Sequence, residues 1–169
     1  MIARNLRLLS LPVSVLLAVC IQCSIAQAGS STTNLNISAT VTDNCSISTA
    51  DLAFGAYDPI VTNASSPKDS TGTVSITCTT GAVTNVGLDT GANASGGTRR
   101  MKAGSSYITY EIYQDVGRTT VWGTGANKND TGTAPNFNPR SFTAYGRITA
   151  GQDVPAGSYT DTVVATVNF

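Results

Sequence analysis

The chain has 169 residues, 41% hydrophobic and 12% charged, with ten basic side chains balancing ten acidic ones and no histidine. That length suits one domain with a real core, and a balance so close to neutral gives no electrostatic footprint for nucleic acid or an anionic membrane. Without histidine, Ser–His–Asp and Cys–His catalysis are excluded outright.

Arg4 and Arg7 precede an apolar run from Leu8 to Ile25, and Ala26-Gln27-Ala28 places small residues where a signal peptidase reads. Residues 1–28 are therefore expected to be a secretory signal peptide. A membrane anchor is disfavoured, because Pro12, Ser14, Gln22 and Ser24 interrupt the run and no basic stop-transfer cluster follows it. The mature chain is thus expected to have no membrane span. Cleavage removes Cys20 and Cys23 and leaves Cys45 and Cys78 as one pair, which in an exported chain reads as a disulfide. A metal site on the same two thiolates would lack further ligands, so no metal and no cofactor are expected. Losing Arg4 and Arg7 leaves eight basic against ten acidic side chains. Thr, Ser, Asn and Gly take the polar positions that ion pairs fill elsewhere.

In chain order, Gly29 to Thr33 is a polar leader, and Leu35, Ile37, Ala39 and Val41 then alternate with polar residues. Period-two alternation is the signature of a strand with one buried face. Such a stripe suits an ordinary first strand of this sandwich and equally a strand laid into another sheet's open groove. Val74, Ile76 and Cys78 alternate next, followed by Val86 and Leu88 around Gly87. Tyr107 to Tyr113 is rich in aromatic and β-branched residues, and Thr119 to Trp122 is its expected short partner across Asp115–Arg118. Ser141 to Thr149 follows, and Tyr159 to Phe169 is the last strand. Turn clusters separate them at Thr62 to Gly72, Gly91 to Gly97, Gly123 to Pro139 and Ala150 to Gly157. The Gly123 to Pro139 stretch is long for a loop and is expected to be the most mobile part. Six or seven short strands at this spacing predict an all-β sandwich. In the last strand Tyr159, Val163, Ala165, Val167 and Phe169 share a face that only Asp161 interrupts. A core strand ending the chain implies that one further strand is missing.

Catalytic signals are sparse. Leu88-Asp89-Thr90-Gly91-Ala92 spells the D-T-G of aspartic proteases, including retroviral-like dimers in which two aspartates share a proton. A strand end followed by an Asp–Thr–Gly turn explains the same residues, and Asn93 to Gly97 stands where an apolar run should follow. Glu111 is the lone glutamate, so a glycosidase pair would have to come from scattered aspartates. Asn127 to Asp130 lacks calcium-loop spacing. Arg99, Arg100 and Lys102 form the one basic cluster, expected on a solvated loop. No enzymatic activity is expected.

The chain resembles the spore coat protein U family, which includes the pilins of archaic (Csu-type) chaperone–usher pili. The resemblance rests on Leu35 to Cys45, Leu52-Ala53-Phe54-Gly55, Val74 to Cys78, Tyr110-Glu111-Ile112-Tyr113-Gln114-Asp115, Arg118 with Trp122-Gly123, Tyr145-Gly146-Arg147-Ile148 and Pro155 to Val163. It implies an immunoglobulin-like β-sandwich lacking its last strand, with 29–42 as a donor-strand extension and 43–169 as the pilin domain. Leu35, Ile37, Ala39 and Val41 would be donor side chains, and Tyr159, Val163, Ala165, Val167 and Phe169 would border the acceptor groove. The implied partners are homologous pilin subunits, a periplasmic chaperone and an outer-membrane usher, with the mature protein exported to the cell surface to support adhesion or biofilm formation. A surface or spore-coat matrix protein that forms no pilus is the alternative.

Overall fold

The computed structural model describes residues 28–169. The expected signal peptide, with Cys20 and Cys23, lies outside the described residues up to residue 27. The chain divides into two units, Met1–Ala39 and Thr40–Phe169. In the first, residues 28–39 carry no helix or strand, and all of them are exposed. The alternation at Leu35 to Val41 therefore forms no strand here, because a strand needs a main-chain partner as well as a pattern.

The second unit holds eight strands: β1 Cys45–Ala50, β2 Lys68–Cys78, β3 Val83–Leu88, β4 Arg100–Ala103, β5 Ser106–Tyr113, β6 Asn129–Thr133, β7 Arg140–Ile148 and β8 Ala165–Asn168. They make a five-stranded sheet in the order β1-β2-β7-β5-β4 and a three-stranded sheet in the order β6-β3-β8. Every pairing is antiparallel. In β2 the alternation works as expected: Val74, Ile76 and Cys78 are buried while Ser75 and Thr77 are only half-buried. β5 and β7 follow the same rule, with Ile108, Tyr110, Ile112, Ala144 and Ile148 turned inward. These side chains meet Val86, Leu88 and the fully buried Trp122 from the opposing sheet and its flank. Trp122 satisfies its one polar atom by donating Nε1–H to the Val86 carbonyl at 2.8 Å, as a buried indole requires.

Three elements depart from the sequence reading. The Gly123 to Pro139 stretch is not one long loop, since a 3-10 turn at Gly125–Asn127 leads into β6, which pairs with β3. β6 reads NDTGT and has no apolar alternation because main-chain bonds and the Thr84–Thr131 hydroxyl pair hold it instead. The last strand is paired only over Ala165–Asn168. Its first half crosses between sheets: Thr160 exchanges hydrogen bonds with Lys102 of β4, and the carbonyls of Thr162 and Val164 accept from Ala92 and Asp89. Thr119 to Trp122 pairs with β5 through a single bridge at Val121, flanked by Gln114 N–H to the Thr120 carbonyl and Trp122 N–H to the Ile112 carbonyl.

Candidate functional site

Between the two sheets a cleft of about 1,240 Å³ remains open. Its floor is core: Val74, Ile108, Ile112, Ala144 and Ile148 from the large sheet and Leu88 from the small one. One wall is the crossing segment, where Tyr159, Val163 and Ala165 line the cleft and alternate with exposed neighbours. β8 ends the small sheet, and among the described residues its outer edge has no strand partner. A cleft of apolar side chains beside an unpaired strand edge is a template for another strand.

The opposite wall is the segment after β1. Leu52 and Phe54 pack over the large sheet where it carries glycine. A Cβ on Gly72 would stand 2.9 Å from the Leu52 Cβ and 3.0 Å from the Ala50 carbonyl, and one on Gly146 would stand 2.6 Å from a Leu52 methyl. Both glycines thus make the slot that seats this wall. The Phe54 ring meets Tyr110 edge-on with centroids 6.1 Å apart. One polar point interrupts the apolar lining: Tyr110 donates its hydroxyl to Asp161 at 2.7 Å, and Asp161 also accepts from the Asn93 backbone and side chain at 3.0 Å. Burial first, and the Asp161 carboxylate second, push the Tyr110 phenol above its ordinary acidity range, so it stays a protonated donor.

The donor and groove residues expected from the sequence fall as follows. Leu35 is 83% and Ile37 87% exposed, and Ala39 and Val41 are exposed too. Tyr159, Val163 and Ala165 line the cleft, Val167 is partly buried against the core, and Phe169 is exposed beyond the end of β8. Cys45 and Cys78 are joined by a disulfide, pinning the start of β1 to the end of β2.

The basic cluster does not sit together on a solvated loop. Arg99 is 2% exposed. Its guanidinium donates to the carbonyls of Leu88 (3.1 Å), Asp89 (2.6 Å) and Trp122 (2.8 Å), and pairs with the Glu111 carboxylate. No sequence periodicity marks such a residue, because its partners are mostly backbone carbonyls. Arg100 instead stacks over the Tyr107 ring, 4.1 Å from its centroid. At the D-T-G, the Asp89 carboxylate accepts the backbone N–H groups of Gly91 and Val164, each at 2.9 Å. Among the described residues no cluster of three metal-ligating side chains occurs, and no helix is long and apolar enough to cross a membrane.

The family model described as "Spore Coat Protein U domain" matches residues 31–166. The chain belongs to the spore coat protein U domain family. Its relatives include Protein U of Myxococcus xanthus, 37% identical over 162 residues that cover 85% of this chain and 88% of that protein. Among solved structures it is similar to a chain of the complex between CsuC and CsuE, the chaperone–tip adhesion subunit pre-assembly complex of archaic chaperone-usher Csu pili from Acinetobacter baumannii. That similarity has a TM-score of 0.57 and 26% identity, and covers 77% of this chain and 40% of the other. The two-sheet, nearly all-β arrangement is the immunoglobulin-like fold of pilin-type subunits. Family and fold are those of structural subunits rather than enzymes.

Proposed function

We propose that this spore coat protein U domain chain is an exported, non-catalytic structural subunit of a surface fibre assembled by the chaperone–usher route. Residues 1–28 act as the signal, residues 29–42 as the donor extension and residues 43–169 as the pilin domain. One observation carries the reading: an apolar cleft lies open beside the unpaired edge of β8, while Leu35, Ile37 and Val41 stand exposed without a strand partner. The N-terminal segment of one subunit fills the cleft of another, its main chain bonding to β8 and its alternate side chains entering the cleft. A periplasmic chaperone protects the same cleft before an outer-membrane usher releases the subunit into the fibre, which serves adhesion or biofilm formation. The similar solved complex, in which a chaperone is joined to a pilus subunit before assembly, supports this order of partners. The backbone bonds that engage Asp89 support its reading as a turn-former rather than a protease aspartate.

The test has two arms. A chain lacking residues 29–41 is mixed with a synthetic peptide spanning 33–42, and the peptide is expected to raise the melting temperature. Burial of Leu35 or Ile37 contributes about 1.5–3 kcal/mol each. In the full chain, Ile37→Asp puts an unpaired charge into the cleft and is expected to abolish polymerisation while export and the disulfide remain normal. A truncated chain already fully stable and indifferent to the peptide overturns the reading. The likeness to Protein U favours one second reading, a surface-coat protein joined through the same edge without forming a pilus. Genes for a chaperone and an usher beside this one decide for the fibre, and their absence for the coat.

A further inference from the structure

Both ends of the pilin domain carry exposed apolar side chains. At the disulfide end the chain enters the domain through residues 42–44, tied down by Thr79. Thr79 donates its backbone N–H to the Asn44 carbonyl at 2.9 Å, and its hydroxyl accepts the Asn44 N–H at 3.1 Å. Beside this entry Val41 and Phe137 line a shallow pocket of about 540 Å³, and Phe137 is 74% exposed. At the other end, the loop before β2 presents Ile60, 84% exposed, and Val61, 73% exposed. This loop sits where β7 finishes, since Gly151 N–H donates to the Asn63 carbonyl and Lys68 pairs with Ile148. Pro59 and Ile60 also line the cleft, as do Pro155 to Ser158, so the cleft opens at this end. The two ends lie at opposite termini of the eleven-residue β2, roughly 30 Å apart at strand rise.

We infer that Phe137 of one subunit packs on Ile60 and Val61 at the cleft mouth of the next, making a second, head-to-tail contact between copies of this chain. The inference rests on the strand-exchange reading above. Three residues, Thr42 to Asn44, separate Val41 from Cys45, so a seated Val41 lies no more than about 14 Å from its own domain's first cysteine. So short a tether forces the donor's disulfide end against the acceptor. The acceptor's own disulfide end is where its N-terminal segment departs, which leaves the open mouth at Ile60 as the landing place. Because Val41 and Phe137 line one pocket, seating Val41 in the mouth brings Phe137 to its apolar rim. The contact is heterologous, so it repeats along a fibre rather than closing a dimer.

The test places a photo-crosslinking benzoylphenylalanine at position 137 in the full chain and irradiates assembled fibres. Position 137 is exposed, so the fold should survive, and an intact-mass check of the Cys45–Cys78 bridge confirms it. The expected result is a ladder of covalent multimers whose adducts map by mass spectrometry to the peptide containing Ile60 and Val61. Adding Val61→Asp, at an exposed position outside the cleft lining, should lower the crosslink yield about tenfold while fibres still form. Fibres that form normally but crosslink elsewhere or not at all overturn the end-to-end contact and leave strand exchange standing. Failure of the unlabelled chain to polymerise overturns both.

Discussion

Asp69 shows how single side chains hold the outer face of the large sheet. It accepts hydrogen bonds from Arg147 at 2.7 and 2.8 Å, and Arg118 stands 3.3 Å away. The Arg147 hydrogen bonds, then the nearby Arg118 charge, hold its carboxyl below the ordinary value of 3.8. A depressed carboxylate adds stability that is present above its unfolded value and disappears as pH falls through its folded one. Asp69→Asn should therefore flatten the acid limb of a melting-temperature profile below about pH 4. Near neutrality the change should be small, under about 1 kcal/mol, because the pair is about one-third exposed. Parallel acid limbs in the two proteins would refute the assignment. Arg99 teaches the opposite lesson. Its sequence context, Thr-Arg-Arg-Met-Lys, reads as solvated charge, yet it lies in the core beneath Trp122. Burial of a cation is decided by carbonyls that converge only after folding, and the sequence carries no trace of them.

Elements that bury one face were legible, and those held by main-chain bonds were not. Alternation of Val74, Ile76 and Cys78 marks β2, and the aromatic and β-branched run from Tyr107 to Tyr113 marks β5, while Ser141 to Thr149 covers β7. β1, β4 and β6 leave no such mark: CSISTA, RMKA and NDTGT lie at sheet edges, where half-buried faces impose little pattern. One wall of the cleft, Tyr159, Val163 and Ala165, lies in a segment whose alternation is visible in the sequence. Its other wall, Leu52 and Phe54, carries no strand and depends on Gly72 and Gly146 in distant strands. Gly72→Val tests that wall. A side chain there meets the Ala50 carbonyl and Leu52 backbone, so relief requires backbone movement. The variant should lose about 1–3 kcal/mol in chemical denaturation and bind the 33–42 peptide more weakly. Unchanged denaturation midpoints would show that the Leu52 segment is not seated as described.

At the scale of the molecule, the disulfide closes a separation of 33 residues between β1 and β2. Replacing Cys45 and Cys78 together by serine should cost roughly 3–4 kcal/mol in the chain-entropy account, measured as a shift of the unfolding midpoint under oxidising conditions. Equal midpoints for the reduced and oxidised proteins would contradict it. The pairing of β2 with β7 sets a different property, the speed of assembly. Lys68 pairs with Ile148 and Ile76 with Arg140, so the centre of the large sheet joins segments that are far apart along the chain. Loop closure must be met before any of those bonds form, and topologies of this kind fold in milliseconds to seconds rather than microseconds. During that interval the apolar faces of β5 and β7 have no cover. On the proposed export route, a subunit arriving unfolded is thus exposed to misassociation for as long as its central strands search for each other, and a helper that binds early gains its advantage from that delay.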